Sequence, residues 1–347
     1  MALRMNMAGV DLAGVDLAAM LRRFAIEPAQ DVSVDSRSLG GGSEACGVAL
    51  VTVRHRTRSS RPQVFRFVVK HLTGRPAREA EVYERLVSTH AVDVAPRLLA
   101  VERAGPDGVF LCLEAIRRTG AWPWRELRTG TELLARLAEF HRAAEAGATL
   151  VPGWDYEAEL LLMAEHSRAA LERCRGHDDL SGLARDLPSL NRIVATLPRL
   201  RAQLLSESPF GSRPIHGDVH SGNVLVRRRA GGDGPVLIDW GRARLASPLE
   251  DVSSLLQSLG YWEPEWRRRH DTLLAAYLSA FGTDRTLTSS LRAAHWLAGA
   301  SNVLAGALLH HLCIATDCRQ SLSRRRAAGN AARDALRVIR RASALSG

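Results

Sequence analysis

The chain has 347 residues, 46% of them hydrophobic, which is typical of a globular enzyme with two lobes or domains and a substantial core. We find no apolar run long enough to predict a membrane span, and the start of the chain lacks a basic stretch followed by an apolar core. The five cysteines are odd in number and show no CxxC spacing. We therefore expect a cytoplasmic protein with free thiols.

The net charge of +10 and the pI near 10.3 are also found in proteins that bind nucleic acid. The excess is concentrated, however, in residues 316–347, which hold eight Arg and two Asp. This segment contains one predicted helix, Ser321–Ala344. We interpret that helix as a solvated basic face, and a contact with nucleic acid or with a partner is the less favoured alternative.

The front of the chain predicts a β-rich lobe. Residues 1–30 contain the repeat AGVDL twice and predict a helical or irregular extension. A glycine-rich turn at 40–47, a pattern that plain hairpins also show, precedes an alternating strand at Val48–Val53. The next strand-like run ends at Lys70, the only lysine of the chain. A compact ammonium in that position can reach nucleotide phosphates, although one lysine surviving the bias towards Arg by chance is the alternative explanation.

The rest of the chain predicts an α-rich lobe. Arg78–Ser88 has the pattern of a helix and Val109–Leu113 that of a strand, and from Gly130 onward the apolar spacing is mainly helical. All seven tryptophans follow residue 120. We expect four segments: an extension at 1–30, an N-lobe at 31–115, a C-lobe at 116–315 and a basic helix at 316–347. The predicted C-lobe helices are 157–175, 188–205, 250–260, 267–282 and 287–312.

The most informative motif is His216-Gly217-Asp218, followed by Asn223 and then by Asp239. The apolar runs 224–226 and 236–238 predict two buried strands of a hairpin, so the three polar side chains at its ends are expected to converge. Phosphoryl transfer on the protein-kinase plan needs one carboxylate that takes a hydroxyl proton. It also needs an amide oxygen and a second carboxylate that hold Mg²⁺ on the nucleotide phosphates.

These motifs resemble those of the aminoglycoside phosphotransferase and choline kinase superfamily, the small-molecule branch of the protein-kinase-like fold. The resemblance covers roughly residues 40 to 315. Asp-Trp-Gly-Arg stands where protein kinases have Asp-Phe-Gly, and no Ala-Pro-Glu segment follows, which argues against a regulated protein kinase. The matching segments are His216–Asn223, Ile238–Trp240, Arg78-Glu79, Val94–Leu98, Leu111–Ile116 and Pro248–Asp251.

The resemblance implies an α+β fold with two lobes, a small β-rich N-lobe and a larger α-helical C-lobe. It implies that Asp218 orients the acceptor hydroxyl as the catalytic residue, that Asn223 and Asp239 bind Mg²⁺, and that Lys70 holds the α- and β-phosphates of ATP. His216 is expected to fix the loop by hydrogen bonds. For Asp251, which precedes an apolar helix, we expect a helix cap or loop support.

The remaining nucleotide contacts also come from the resemblance. We expect Glu79 to pair with the lysine because of its place in the Arg-Glu pattern, whereas spacing alone leaves Glu81 and Glu84 open. The glycine-rich turn at Ser43 would direct backbone N–H groups towards the phosphates. Backbone groups of Glu114 and Ile116 would meet the adenine, although this strand also fits a plain core strand.

The acceptor-binding residues are predicted from acidic side chains that lie beside aromatic ones. Such surfaces suit a sugar with amines or another cationic hydroxyl compound. An ordinary exposed loop and helix start explain the same pattern equally well. The residues are Asp155, Glu157, Trp262, Glu263 and Glu265.

We therefore expect an ATP-dependent O-phosphotransferase acting on a hydroxyl of a small molecule, with an antibiotic (an aminoglycoside, or a nucleoside or peptide antibiotic) as the favoured acceptor. The bias towards Arg indicates a GC-rich genome, the kind that also hosts antibiotic producers. A metabolic kinase of choline, homoserine or sugar type is the alternative, and a catalytically silent binding module is the less favoured third reading. The sequence leaves open the acceptor, ATP versus GTP, and the oligomeric state.

Overall fold

The computed structural model describes residues 4–8, 31–39, 45–56, 63–105, 107–116, 127–144, 154–206, 209–227, 234–262, 264–283 and 286–345. The chain divides into two compact units. The first, here the sheet unit, comprises Met1–Trp122, Leu150–Pro152 and Leu225–Arg242. The second, here the helical unit, comprises Pro123–Thr149, Gly153–Val224 and Ala243–Gly347. The predicted α+β class is confirmed, and the finer division into four segments stays a prediction.

The sheet unit is built on six strands in the order β1-β2-β3-β4-β6-β5. Five of them form an antiparallel sheet, and β1 pairs with β2 in parallel. The prediction of a helical or irregular start is wrong for residues 4–8, which form β1, and residues 9–30 lie outside the described residues. The strands are β1 (Arg4–Ala8), β2 (Asp31–Ser38), β3 (Gly47–Arg56), β4 (Gln63–Thr73), β5 (Leu98–Ala104) and β6 (Gly108–Glu114).

Alternation of side chains builds the core of this sheet. Ala49, Val51 and Val53 on β3 are fully buried, and their neighbours across the sheet include Val69 and Phe67 on β4. These five residues share one face because successive strand residues point to opposite sides. In β6, all residues from Val109 to Leu113 are buried, so this strand is covered on both faces.

Among the described residues of the sheet unit, one helix packs beside the strands. This helix, α1 (Arg78–Val82), continues through a π-helical turn at Tyr83–Val87 into a last turn at Ser88–His90. Later in the chain, β8 (Val224–Arg227) and β9 (Gly234–Leu237) pair in a small sheet of their own, as the hairpin prediction requires. A 3₁₀ turn at Trp240–Arg242 follows.

The helical unit contains eight long helices among its described residues. Their bounds lie within a few residues of the predicted ones, except that the predicted helix 287–312 is broken at a π-helical turn, Val303–Ala307. Two short strands, β7 (Arg213–Ile215) and β10 (Arg244–Ala246), pair antiparallel with Ile215 opposite Arg244. The helices are α2 (Leu127–Ala143), α3 (Tyr156–Arg173), α4 (Leu187–Ser206), α5 (Pro248–Trp262), α6 (His270–Phe281), α7 (Ser289–Asn302), α8 (Leu308–Thr316) and α9 (Leu322–Leu345).

The basic C-terminal helix α9 packs into the core of the helical unit. Its apolar face, including Leu336 and Ile339, joins the cluster formed by α3, α4 and α8. Arg324, Arg333 and Arg340 on the same helix are exposed. The helix is therefore amphipathic, with the solvated basic face that its sequence predicts.

One stretch of the described residues, Ser289–Thr316, is long and apolar enough to cross a membrane by length and composition. The expectation that no such run exists is wrong by this criterion. Half of its most apolar window is buried inside the protein, as in the core helices of soluble proteins. Gly306, with φ 141°, also interrupts the helix within the stretch.

A buried histidine, His295, meets a partly buried one, His270, in the helical unit. The Nε2 atoms of His270 and His295 lie 3.2 Å apart, and the His270 ring stacks on Trp296. Burial lowers the pKa of His270 to about 4, a shift that Asp271 opposes and Arg341 reinforces. Burial also lowers the pKa of His295 well below its ordinary value. Both rings are therefore neutral at pH 7.

We expect this pair to make the protein acid-sensitive. An unfolded histidine titrates near pH 6.5, so between about pH 6.5 and 4 the unfolded chain binds more protons than the folded one. The free energy of unfolding should therefore fall as the pH is lowered through this window, by about 1.4 kcal/mol per pH unit for each histidine. Denaturant titrations at several pH values should show a shallower slope for His270→Gln. The exposed His166→Gln is the control, and an unchanged slope in His270→Gln would contradict the assignment.

Candidate functional site

Lys70 is the centre of a buried ion cluster in the sheet unit. Its Nζ lies 2.6 Å from Oε2 of Glu79 on α1 and 2.6 Å from Oδ1 of Asp239, which follows β9. The structure thus pairs the lysine with Glu79, whereas Glu81 pairs with Arg85 on the surface of the same helix. Three of the residues predicted to act on the nucleotide and its metal therefore lie together.

The ionisation of this cluster follows from its burial. Burial alone would lower the pKa of Lys70, but the charges of Glu79 and Asp239 outweigh it and raise the pKa above its ordinary value. Burial raises the pKa of Glu79, and the nearby ammonium opposes that shift. Lys70 therefore remains an ammonium ion at any physiological pH.

The two carboxylates differ in what else they can do. Glu79 is buried, and its second oxygen accepts the backbone N–H of Trp240 at 3.1 Å. The Asp239 side chain is 48% exposed, and its backbone lies in the left-handed region at φ 64°. Arg78 on α1 also donates to the carbonyl of Gly241. The first turn of α1 therefore holds the turn that presents Asp239.

The end of β6, predicted to meet the adenine, is tied into the sheet unit. The Glu114 backbone N–H donates to the backbone carbonyl of Arg97 at 2.9 Å, and the Glu114 carboxylate accepts from Nη2 of Arg227 at 2.9 Å. The same Arg227 nitrogen donates to the carbonyl of Ala95 at 2.7 Å. The backbone N–H of Glu114 already has an acceptor within the chain. The predicted contact with the adenine would therefore be made by the other backbone groups of Glu114 and Ile116.

In the helical unit, Asp251 on α5 holds the loop that follows β7. Its carboxylate accepts the backbone N–H groups of His216 and Gly217, both at 2.8 Å. It also lies 3.1 Å from Nε2 of His141, whose Nδ1 is 2.9 Å from the Tyr277 hydroxyl. Burial would raise the pKa of Asp251, but the hydrogen bond and charge of His141 outweigh burial and lower it. Asp251 is therefore an ionised support for the loop, in line with the loop-support alternative.

His216 has the structural role that the sequence predicts. Its Nδ1 accepts the backbone N–H of Asp218 at 3.2 Å, and Gly217 between them has φ 81°. A side chain at this glycine would strain the backbone, because the left-handed region disfavours residues with a Cβ atom. The loop therefore presents Asp218 on a backbone whose N–H groups at 216, 217 and 218 are all hydrogen-bonded.

Asp218 and Asn223 are neighbours within this loop. Nδ2 of Asn223 donates to the Asp218 backbone carbonyl at 3.1 Å and to its Oδ2 at 3.2 Å. The Asp218 side chain is 39% exposed, and Asn223 is buried. His220 Nε2 lies 3.8 Å from Asp218 Oδ2, and its Nδ1 accepts the Gly222 N–H. The carboxylate can therefore meet a ligand while its position is held by the amide.

Asn223 and Asp239 each carry an oxygen atom of the kind that Mg²⁺ binds. The amide nitrogen of Asn223 is used towards Asp218, which leaves its side-chain oxygen as a metal ligand. Lys70 contacts one carboxylate oxygen of Asp239, so the other oxygen of this half-exposed group can also serve. Amide and carboxylate oxygens are the hard ligands that Mg²⁺ prefers, with phosphate oxygens and water as further ligands. The convergence of Asp218 and Asn223 with Asp239 stays a prediction.

Two of the predicted acceptor residues have contacts within the chain. Asp155 caps α3 by accepting the backbone N–H of Ala158 at 3.0 Å, and Glu157 accepts from Arg201 at 2.6 Å. Glu265 is exposed on a 3₁₀ turn. Trp262 ends α5, and its side chain, like residues Ser43 and Glu263, lies outside the described part of the chain.

The partners that support these groups were not predicted from the sequence. His141 and Tyr277 are far from the motifs along the chain, and Arg227, although it closely follows Asn223, has nothing in its local pattern that sets it apart. One signal was present for His141: it is a histidine on the buried face of an amphipathic helix, where an unpaired polar group is costly.

Comparison with known proteins agrees with this arrangement. The profile of the APH family, described as the phosphotransferase enzyme family, matches residues 47–291. Among curated proteins, none matches the sequence. A solved ethanolamine kinase of Plasmodium vivax is similar at 14% identity and a TM-score of 0.56, over 87% of this chain and 81% of that one.

Two further solved structures are similar over most of their length. An amicoumacin kinase in complex with AMP-PNP, Ca²⁺ and Ami has 17% identity and a TM-score of 0.55, over 94% of each chain. An aminoglycoside phosphotransferase from Alicyclobacillus acidocaldarius has 14% identity and a TM-score of 0.54, over 89% of this chain and 90% of that one. These similarities show the predicted protein-kinase-like fold. Because the family profile covers more than half of the sequence, this chain belongs to the phosphotransferase enzyme family and is a small-molecule phosphotransferase.

Proposed function

We propose that this enzyme transfers the γ-phosphate of ATP to a hydroxyl group of an antibiotic and thereby inactivates it. The observation that carries the proposal is the pair of Asp218 and Asn223, a half-exposed carboxylate beside a buried amide on a loop held by Asp251. This is the arrangement that phosphoryl transfer to an alcohol needs, since a carboxylate within reach can take the hydroxyl proton.

Asp218 orients the acceptor hydroxyl and takes its proton as the new bond forms between that oxygen and the γ-phosphorus. The bond from the γ-phosphorus to the bridging oxygen breaks, and ADP leaves with that oxygen. Because the transition state is loose, the proton moves late in the reaction. Asn223 keeps Asp218 in place through the hydrogen bond to its carboxylate.

Residues of the sheet unit are assigned to the nucleotide. Lys70 holds the α- and β-phosphates, and Glu79 holds Lys70. The turn at Ser43 is assigned to the phosphates, and backbone groups of Glu114 and Ile116 to the adenine.

We assign Asn223 and Asp239 as the protein ligands of Mg²⁺. When bound, the metal offsets charge on the phosphates. The amicoumacin kinase, whose structure holds AMP-PNP and Ca²⁺, supports a triphosphate nucleotide with a divalent ion. GTP is the alternative nucleotide, and the reaction is placed in the cytoplasm.

The choice of acceptor follows from similar enzymes. Both the amicoumacin kinase and the aminoglycoside phosphotransferase are named for antibiotics. The ethanolamine kinase supports the second candidate, a metabolic amino alcohol of the choline type. Asp155 and Glu157 have contacts within the chain, so the exposed Glu265 is the preferred acceptor residue among those that the structure describes, and Trp262 and Glu263 are assigned to the acceptor from the sequence pattern.

We expect Asp218→Asn to lower kcat by about a thousandfold or more while the KM for ATP changes less than about threefold, because the carboxylate acts on the acceptor and not on the nucleotide. Mass spectrometry of antibiotic and amino-alcohol panels incubated with ATP and Mg²⁺ would identify the phosphorylated compound. Asp178→Asn, at an exposed position, is the matched control. Phosphate gain that persists in Asp218→Asn would refute the assigned base, and gain only on amino alcohols would replace the antibiotic.

We expect Glu79→Gln to lower the free energy of unfolding by about 2–4 kcal/mol, because it removes one of the two charges that compensate a buried ammonium. The KM for ATP should rise about tenfold as Lys70 loses its fixed position. Glu81→Gln, on the exposed side of the same helix, should change stability by less than about 0.5 kcal/mol. Urea titration and initial-rate kinetics on both variants test this, and equal effects of the two substitutions would count against it.

A further inference from the structure

A chain of alternating charges runs through the helical unit and ends at the loop that carries Asp218. Arg201 on α4 donates from Nε to Glu157 at 2.6 Å and from Nη1 to Glu250 on α5. The other oxygen of Glu250 accepts from Nη2 of Arg244 on β10 at 2.6 Å. Nη1 of Arg244 then donates to the backbone carbonyl of Gly217 at 3.1 Å.

The three central members of this chain are buried. Arg201, Glu250 and Arg244 are each at most 3% exposed. Burial alone would lower the pKa of Arg244, but interactions with Tyr156 and Glu250 outweigh it. The Arg244 guanidinium also lies 3.8 Å from the centre of the Tyr156 ring. Desolvating two guanidinium groups and a carboxylate is costly, and well-packed apolar residues would fill the same space at less cost.

The contact between Arg244 and Gly217 offers a reason for this cost in free energy, because it completes the restraint of one peptide unit. The carbonyl of the Gly217–Asp218 peptide is held by Arg244, and its N–H is held by Nδ1 of His216. The N–H of Gly217 itself is held by Asp251. Because a peptide unit is planar, fixing both its polar atoms fixes the direction in which Asp218 leaves the backbone.

We propose that Arg244, held in place by Glu250 and Arg201, is a positioning residue for Asp218. This inference rests on the proposed function, in which Asp218 is the base. Arg244 acts through the Gly217 carbonyl, whereas the nucleotide is assigned to Lys70 and Glu79. Glu157, which is half-exposed, compensates the second guanidinium charge at the outer end of the chain.

The test separates positioning from folding. In Arg244→Met the Gly217 carbonyl loses its donor, but Glu250 and Arg201 stay buried with unbalanced contacts, so the variant is also expected to be less stable. In the triple variant Arg201→Met/Glu250→Leu/Arg244→Met the whole charge group is replaced by apolar side chains, which is expected to restore stability. Arg199→Met, at an exposed position on α4, is the matched control.

We expect Arg244→Met and the triple variant both to lose about a hundredfold in kcat, with the KM for ATP within about threefold of wild type, because a small misplacement of a catalytic group has effects of that size. Arg199→Met should retain the wild-type kcat. If the charge group serves folding alone, the triple variant will recover both stability and kcat, and the proposal is overturned.

Hydrogen exchange followed by mass spectrometry supplies a readout that does not depend on activity. Exchange at the amides of residues 216–218 should be about tenfold faster in Arg244→Met and in the triple variant than in wild type or Arg199→Met. Unchanged exchange in Arg244→Met would overturn the proposal. Faster exchange in a protein whose wild type phosphorylates no acceptor would support the restraint by Arg244 and would refute the proposed function instead.

Discussion

The buried carboxylate of Asp251 determines the shape of the loop that carries Asp218. It accepts two consecutive backbone N–H groups and lies beside His141, which in turn contacts Tyr277. A carboxylate without such partners would not remain ionised in the interior. The helices α2, α5 and α6, which supply these three side chains, are therefore joined to the loop by one network of polar contacts whose members strengthen one another.

The sheet unit also combines a buried carboxylate with a half-exposed one. A buried one, Glu79, fixes its neighbours through two hydrogen-bonding oxygens, as Asp251 does in the helical unit. A half-exposed one, Asp239, is accessible to solvent, as Asp218 is. The buried carboxylates of Glu79 and Asp251 hold their neighbours in place, and the half-exposed carboxylates of Asp239 and Asp218 are held in place. This arrangement allows a charged group to face a ligand without free rotation, which is the condition for preorganised catalysis.

The parts of the structure that sequence could predict are local. The spacing of Asp218, Asn223 and the two apolar runs requires only that a hairpin follow the loop, and the helices follow from apolar periodicity. The strand β2 was missed because most of its residues are polar, and its pairing with β3 supplies what local propensity does not. The strand β5 was also not predicted, and it pairs with β6. Asp155 and Glu157 lie at the start of α3, a position that acidic residues favour. Their contacts with Ala158 and Arg201 were not predicted and follow from that position.

Partners that are distant in the chain were beyond prediction for a different reason. Arg201 meets Glu250 across 49 positions, and His141 meets Asp251 across 110. In a chain whose basic residues are Arg with a single exception, composition gives no sign of which few are buried. Burial is decided by the packing of helices against one another, and that is a property of the assembled fold.

The identity of the basic residues nevertheless follows a physical rule. The buried Arg201 and Arg244 each bridge two groups on different segments, with different nitrogen atoms directed to separate acceptors. The buried Arg227 also bridges two groups, through one nitrogen. A planar guanidinium with five donors suits that task, whereas an ammonium concentrates its donors at one point. Lys70 differs from them, since its single nitrogen lies between two carboxylates, those of Glu79 and Asp239. In the part of the chain that the structure describes, the guanidinium groups of Arg201, Arg227 and Arg244 therefore serve as bridges, and the one ammonium, that of Lys70, is placed between two carboxylates.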